Sequence, residues 1–190
     1  MSLVGFFVPV VAAFALQAAE PAPLERNEAG DLVEMIEMFE ADQAIRFELM
    51  SAMKPGEDGK FSMPTDIYER MSTGDKQRYE RTLELFNAGA LETGLDYYNA
   101  AFIFQHGGQP ADYLRAHHAA VVSIAKGYDK STWISAASLD RYLDSIGQEQ
   151  IYGTQRTMQD GVESRKPTQD DVITDHERAQ LGVPPLGSGE

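Results

Sequence analysis

Cysteine is absent from the 190-residue sequence. Its absence excludes disulfide bonds, a thiolate nucleophile and zinc sites built from cysteine. It does not identify a cellular compartment. It means only that an oxidising compartment would cause this chain no thiol damage.

Positive charge is also scarce. The chain has 16 lysine and arginine residues against 30 aspartate and glutamate residues, a formal net charge of −14 at pH 7. Such a chain repels nucleic-acid phosphates at long range, and no lysine- or arginine-rich run offsets this locally. We therefore expect no nucleic-acid partner and interpret the negative charge as a solvated surface that favours solubility.

Motifs of several known chemistries are missing. The sequence has no HExxH, no glycine-rich phosphate loop and no GxSxG nucleophile elbow. Its four histidines lack the spacing of a metal site, and the adjacent His117 and His118 point about 100° apart on a helix. We therefore expect no metal ion and no cofactor.

A hydrophobic run without charge covers residues 3–16. At about 1.5 Å per residue it spans about 21 Å, less than a bilayer core of about 30 Å. The small residues Ala18 and Ala19 follow, which predicts a signal peptide over residues 1–19 and a periplasmic or secreted protein. Two alternatives remain: an uncleaved anchor, which would be the chain's only membrane contact, and a buried core helix. Residues 20–30 then form a linker.

Helical periodicity dominates residues 31–186, which we predict to be a single, mainly α-helical domain. Short connections make successive helices antiparallel neighbours, so we expect helical hairpins packed as a bundle, similar to tetratricopeptide and Sel1-like modules in shape only. The pattern fails after Gly147, which predicts an irregular C-terminal tail, with residues 187–190 disordered. The predicted helices cover residues 31–53, 65–71, 75–87, 93–106, 110–126, 131–146 and 175–181.

Two polar residues interrupt the apolar stripe of the first predicted helix. Alternating steps of four and three residues from Leu32 reach Gln43 and Arg46 among hydrophobic positions. Burying an amide or a guanidinium group costs several kcal/mol unless hydrogen bonds replace those made to water. Asp42 lies four residues before Arg46 and can pair with it along the helix. Other groups must therefore face Gln43 and Arg46.

Polar residues also interrupt the later helices. His117 lies on the stripe that contains Leu114, and His106 ends a helix before two glycines. Asp140 and Arg141 flank a leucine stripe. Each of these residues is a candidate for a functional site.

Residues 150–155 (QIYGTQ) form a hydrogen-bonding strip after the last long helix. If the segment is extended, Gln155 faces one side and three polar side chains face the other. Those three are Gln150, Tyr152 and Thr154. The strip could complete a pocket beside the polar residues of the first helix.

Each of these residues has an architectural interpretation as well. The dipole of a helix C-terminus favours imidazolium at His106. His117 can be a core histidine bonded to a carbonyl oxygen, and Asp140 and Arg141 can form an ion pair that stabilises the fold. Together, however, histidine, aspartate, arginine and glutamine are the types that acyl- and phosphoryl-transfer enzymes use as base, orienting acid and hydrogen-bond donors.

Several segments resemble an uncharacterised bacterial family, a domain of unknown function. The similar motifs are FQHG in residues 96–107 (DYYNAAFIFQHG), AAxxDRYL in residues 133–143 (WISAASLDRYL) and YGTQ in residues 150–155. An early Asp-Gln-x-x-Arg (Asp42, Gln43, Arg46) and a late LGVPPL (residues 181–186) are also similar. The resemblance covers about residues 32–186. It implies a helical fold with a shared polar constellation, and it supplies no reaction.

Three functional hypotheses follow. The first is an exported helical domain that binds a small ligand or peptide in a polar pocket. The second is a hydrolase or transferase that uses His106 or His117 as acid and base, with Asp140 orienting the histidine. In this enzyme Arg46 or Arg141 would bind an anion. The third is a structural or protein-interaction scaffold whose polar cluster is architectural. The predicted ligand-binding residues are Gln43, Arg46, Arg141, Gln150, Tyr152, Thr154 and Gln155.

Overall fold

The computed structural model describes residues 23–55, 61–159 and 162–187. The predicted signal peptide, residues 20–22 of the predicted linker and residues 188–190 of the predicted tail lie outside these ranges. Across the described ranges, no helix has the length and apolarity needed to cross a membrane. Export stays a prediction from the sequence.

The described chain is mainly helical, which confirms the predicted fold class. Helices α1 and α2 pack together, α3 packs on α1 and on α4, and α4 packs on α5. A short 3-10 turn, Asp129–Ser131, precedes α5. The helices are α1 (Val33–Ala52), α2 (Thr65–Asn87), α3 (Gly94–Phe104), α4 (Pro110–Ala125), α5 (Thr132–Ser145) and α6 (Asp175–Gln180).

Two pairs of short antiparallel strands lie outside the helices. Strand β1 (Lys54–Pro55) pairs with β2 (Phe61–Ser62), in a region predicted to be a loop. Strand β3 (Arg156–Gln159) pairs with β4 (Val162–Arg165), within the predicted irregular tail. The tail is therefore irregular only outside this hairpin and α6. The hairpin was not predicted because the polar sequence of β3 and β4 gives no alternating apolar face.

The prediction of two separate helices over residues 65–71 and 75–87 is wrong. Helix α2 runs unbroken through Gly74. A glycine inside a helix costs about 1 kcal/mol relative to alanine, too little to break a helix that is held by packing. At Gly74 an added Cβ would lie 2.7 Å from the Arg78 guanidinium, so the missing side chain lets Arg78 lie along the helix.

The predicted apolar stripe of α1 is displaced around the helix. The buried positions are Met35, Asp42 and Leu49, whereas Gln43 and Met50 are exposed. The stripe predicted from hydrophobicity was wrong because the residue that α1 buries at its centre is a carboxylate. The guanidinium groups of Arg46 and Arg78 compensate that buried charge.

The stripe predicted for α4 is also wrong. Leu114 and Val121 are exposed, and α4 instead buries small residues. These are Ala116, Ala119, Ala120 and Ser123. Small side chains allow close helix approach, so α4 can lie between α3 and α5 with its larger side chains turned outward.

The core contains a cluster of aromatic rings around α3. Phe104 is fully buried, and the rings of Tyr79 and Phe86 meet it edge-on at centroid distances of 5.7 and 5.6 Å. Burying a side chain of this size contributes about 1.5–3 kcal/mol. Because Phe104 is the last residue of α3, this packing fixes the position of the Gln105-His106 turn that follows.

Part of the predicted linker contacts the helical domain. Arg26 donates to the carbonyl oxygen of Gly30 at 2.7 Å and to the buried carboxylate of Asp96 at 3.2 Å. Asp96 also accepts from the backbone of Leu32 and caps α3 together with Thr93. Residues 26–32 are therefore held against the start of α3.

Candidate functional site

A network of carboxylates and guanidinium groups joins α1 to α2. The buried carboxylate of Asp42 accepts from Gln43 at 2.8 Å and pairs with Arg46 at 2.9 Å, as the four-residue spacing predicts. Arg46 also binds Asp75 with two hydrogen bonds of 3.1 and 2.9 Å. Arg78 donates to the same Asp75 at 2.6 Å. Two-pronged contacts of this kind fix the geometry of both partners.

His106 joins this network from the turn after α3. Its Nε2 atom lies 3.7 Å from Oδ2 of Asp42, beyond hydrogen-bond distance. Nε2 of His106 and Nε of Arg78 are both buried, and within the described residues neither has a hydrogen-bond partner. Buried polar atoms without partners are uncommon in proteins, and each one calls for a physical explanation.

Burial shifts the pKa values of both Asp42 and His106. Burial raises the pKa of the Asp42 carboxyl to about 6, although Arg46 and Arg78 oppose the shift. Burial lowers the pKa of His106 to about 3, and the positive charge of Arg46 lowers it further. Loss of hydration disfavours the charged form of each group, which gives the two directions. His106 is therefore neutral at pH 7, so its approach to Asp42 is not an ion pair.

Positive charge exceeds negative charge in this network. Arg141 of α5 lies close enough that its charge also lowers the pKa of His106. Arg141 donates to the carbonyl oxygen of Gln105 at 3.2 Å, and its guanidinium lies 6.0 Å from the ring centroid of Tyr113. Arg46 and Arg78 face the two carboxylates of Asp42 and Asp75. The carboxylate that acts on Arg141 is Asp144, which already pairs with Lys166 at 2.7 Å, so Arg141 adds positive charge to the network. This local surplus contrasts with the net charge of −14 of the whole chain.

A cleft opens beside the network. It has a volume of about 360 Å³ and lies between α2 and the turn after α3. One part of its wall carries the rings of Tyr68 and Tyr79 with Met71, and the rest is polar. The lining residues are Tyr68, Met71, Ser72, Asp75, Lys76, Tyr79, His106 and Gly107. A mixed wall of this kind suits a small ligand with one polar and one apolar part.

The Tyr79 hydroxyl at the cleft belongs to a second small network. It donates to the carboxylate of Asp112 and accepts from Arg115 at 2.7 Å. Burial, followed by the bond to Asp112, raises the pKa of Tyr79. Asp112 also caps the start of α4 through the backbone of Gln109. Tyr79 therefore stays protonated at neutral pH and fixes one wall of the cleft.

Asp140 organises the QIYGTQ loop and does not orient a histidine. Its Oδ1 atom accepts from the backbone of Ile151 and Tyr152 at 2.8 and 2.9 Å. Its Oδ2 atom accepts from the backbone and the hydroxyl of Thr154 at 2.9 and 2.8 Å. The loop bends around the carboxylate, so residues 150–155 are not the extended strip considered from the sequence. Both oxygens of Asp140 are occupied by this loop.

The two glutamines of the loop tie neighbouring segments together. Gln150 is buried and donates to the carbonyl oxygens of Gln155 and Lys166 at 3.0 and 2.8 Å. Gln155 donates to the carbonyl oxygen of Ala137 at 3.2 Å and accepts from Arg141 at 3.4 Å. The loop is thus connected through Arg141 to Gln105, next to His106.

The predicted site residues fall into two groups. Gln43, Arg46 and His106 meet around Asp42, and Arg141 borders the same network. Asp140, Gln150, Thr154 and Gln155 meet instead around the bent loop, together with the backbone of Tyr152. His117 belongs to neither group, since its Nδ1 atom lies 2.8 Å from the carbonyl oxygen of Ser135.

The sequence analysis missed Asp75, Arg78 and Tyr79. All three lie on α2, within the segment predicted as the helix over residues 75–87. The spacing of three between Asp75 and Arg78 indicates a pair along that helix. It gives no sign of Arg46, which lies on α1 and binds the same carboxylate.

Within the described ranges, no group of three or more histidine, aspartate or glutamate side chains is placed to hold a metal ion. No protein-family model matches the chain, and no match is found among curated proteins or solved structures. The resemblance to an uncharacterised bacterial family therefore stays a prediction.

Proposed function

We propose that the chain is a binding protein for a small anionic molecule, which it takes up in the cleft beside His106. One observation carries the proposal: the arginine-rich network reaches an open cleft through Asp75 and His106, which line it. Within this network Arg78 Nε and His106 Nε2 make no hydrogen bond in the described part of the chain. An anion that entered the cleft would find positive charge that Asp42 and Asp75 do not fully balance.

The cleft also favours a particular shape of anion. Tyr68 and Met71 form an apolar wall, while Ser72 and Lys76 supply a hydroxyl and an ammonium group. Small carboxylates with a short carbon chain match both parts. A peptide with an acidic residue at its end has the same chemistry, so the proposal includes both of the ligand types predicted from the sequence.

A hydrolase or transferase is the second candidate, favoured by the approach of the His106 imidazole to the Asp42 carboxyl at 3.7 Å. A general acid or base works best when its pKa lies near the working pH. His106, with a pKa of about 3, lies far from that range at neutral pH. Binding is therefore the better supported function.

Isothermal titration calorimetry with succinate, citrate and inorganic phosphate tests the proposal. We expect saturable binding of at least one of these anions to the wild type and a loss of affinity of about tenfold or more in His106→Ala and Arg78→Gln. The matched control is His118→Ala, which removes an exposed histidine of α4 whose ring lies edge-on to Phe86 at a centroid distance of 6.3 Å. This control should bind as the wild type does.

Three outcomes distinguish the hypotheses. Absence of binding by all three anions, with every variant folded, would support the architectural scaffold. Equal affinities in the wild type and in both site variants would mean that the anion binds at another place in the protein. Hydrolysis of p-nitrophenyl acetate or p-nitrophenyl phosphate that is lost in His106→Ala would support the enzyme.

A further inference from the structure

A second cavity lies between α5 and the hairpin of β3 and β4. It has a volume of about 190 Å³ and shares no lining residue with the cleft beside His106. Its wall contains the ring of Trp133 and the side chains of two arginines. The lining residues are Trp133, Gly153, Thr154, Arg156, Arg165, Val183 and Pro184.

The two arginines of this cavity face each other across the hairpin. Arg156 of β3 and Arg165 of β4 are direct partners in the antiparallel register, so their side chains emerge on the same face. Like charges directly opposite each other destabilise a strand pair. This pair therefore gains more from a compensating anion than an isolated surface arginine does.

The protein itself compensates little of this charge. Arg156 approaches Glu163 at 3.7 Å, and both side chains are partly exposed, which makes the pair weak. Arg165 donates from Nη1 to the carbonyl oxygen of Leu186, a neutral partner. Its Nε atom is buried and has no hydrogen-bond partner in the described part of the chain. Because Arg156 and Arg165 both line the cavity, a ligand there would meet two guanidinium groups whose charge is little compensated.

The other walls of the cavity are apolar or neutral. Trp133, the only tryptophan in the sequence, is 43% exposed. Val183 and Pro184 complete the apolar part of the wall. At Gly153 the backbone passes so close to Arg165 and Leu186 that an added Cβ would lie 2.8 Å from Leu186. The absence of a side chain there keeps the loop packed beside Arg165.

We propose that this cavity binds a small carboxylate with a flat or cyclic apolar portion. The carboxylate would bridge Arg156 and Arg165, because planar guanidinium groups match its two oxygens. The apolar portion would lie against Trp133, whose large ring gives up exposed surface on contact. The volume of about 190 Å³ limits the ligand to a single small ring with its acid group.

Tryptophan fluorescence tests the proposal directly, because Trp133 is the chain's single tryptophan. The full-length protein is titrated with cyclohexanecarboxylate, which does not absorb where tryptophan does, and with the uncharged cyclohexanecarboxamide. We expect a saturable change with the carboxylate and none with the amide. Arg156→Gln should weaken binding about tenfold or more, the loss expected when one charged partner of a two-pronged contact is removed.

Two controls separate this cavity from the rest of the molecule. Arg70→Gln removes an exposed arginine of α2 that pairs with Glu48 at 2.5 Å, and it should leave the titration unchanged. His106→Ala, which disables the cleft proposed above, should also leave it unchanged. Failure of either proposal therefore does not imply failure of the other.

Arg156→Gln carries the test by itself, because the Arg156 side chain is partly exposed and its loss should not unfold the hairpin. Arg165→Lys serves as the second variant, since it keeps the charge but not the planar fork, and its affinity should fall as well. Equal binding of the amide, unchanged binding by folded Arg156→Gln, or a linear response without saturation would each overturn the proposal. A response to inorganic phosphate but not to the carboxylate would overturn the assigned ligand class.

Discussion

The substitution Asp140→Asn tests the role of the bent QIYGTQ loop. Asparagine has the shape of aspartate but replaces one carboxylate oxygen by an NH2 group and removes the charge. With its remaining oxygen towards Ile151 and Tyr152, the NH2 group faces the backbone N–H of Thr154, which now meets a donor. The Thr154 hydroxyl can rotate to accept, but the N–H cannot.

The loss of these bonds lowers the free energy of unfolding in two ways. One buried N–H without a partner costs about 1–3 kcal/mol. The two bonds that remain lose the charge of their acceptor, and charged bonds are worth about twice as much as neutral ones. Together we expect a loss of about 2–4 kcal/mol in the free energy of unfolding.

Urea unfolding followed by circular dichroism measures this loss. The matched control is Asp144→Asn on the same helix, whose carboxylate pairs with Lys166 at 2.7 Å with both side chains partly exposed. An exposed pair of this kind is worth at most about 1 kcal/mol. If Asp140→Asn costs no more than Asp144→Asn, with equal slopes in urea, the carboxylate of Asp140 does not hold the loop as argued.

Two further substitutions test the network and the loop. The pKa of His106 is lowered to about 3 in the folded protein, so the unfolded chain binds more protons between pH 3 and the ordinary pKa of 6.5. The stability that depends on a neutral His106 is therefore complete above pH 6.5. It is lost as the pH falls from 6.5 towards 3. The stability advantage of the wild type over His106→Asn should therefore shrink by about 3 kcal/mol between about pH 7 and about pH 4. A constant difference in urea unfolding would contradict the burial of His106. Gly153→Ala should cost about 1–3 kcal/mol more than Gly147→Ala, because both have positive φ but only Gly153 is crowded. Thermal unfolding curves that move equally for both variants would refute the close packing at Gly153.

The fold class followed from the sequence because helical periodicity, turn residues and short connections agreed with one another. The bounds of α1, α3, α4 and α5 came within a few residues of those observed. The error at Gly74 arose because the cost of one glycine is small compared with the packing of α2 on α1 and α3, which the sequence does not display. The hairpin of β3 and β4 was missed because its strands are polar and short.

The sequence drew attention to some residues of the network for a physical reason. Arg46 was singled out as a polar residue on an apolar stripe, which indicates buried partners, and His106 as the end of a helix; in the structure both lie beside Asp42. The stripe itself was assigned to the wrong face, since Asp42 is buried only because Arg46 and Arg78 surround it. Partners far apart in sequence, such as Arg46 and Asp75, cannot be derived from spacing within one helix.

Asp140 shows the limit of reasoning from residue types. Aspartate is the type that orients a catalytic histidine, and it was predicted for that role. In the structure the same carboxylate accepts four hydrogen bonds from a loop, and composition alone does not distinguish the two uses. The path of residues 150–155 around the Asp140 carboxylate shows that this aspartate holds the loop.

The binding of an anion beside His106 is tested most directly by nuclear magnetic resonance of the histidine rings. The chain has four histidines, so their ring signals can be followed separately during titration of the full-length protein with succinate, citrate or inorganic phosphate. We expect the ring signals of His106 to shift with saturation while those of His117 and His118 stay in place. Saturation accompanied by an unmoved His106, or shifts confined to the exposed His118, would contradict the account.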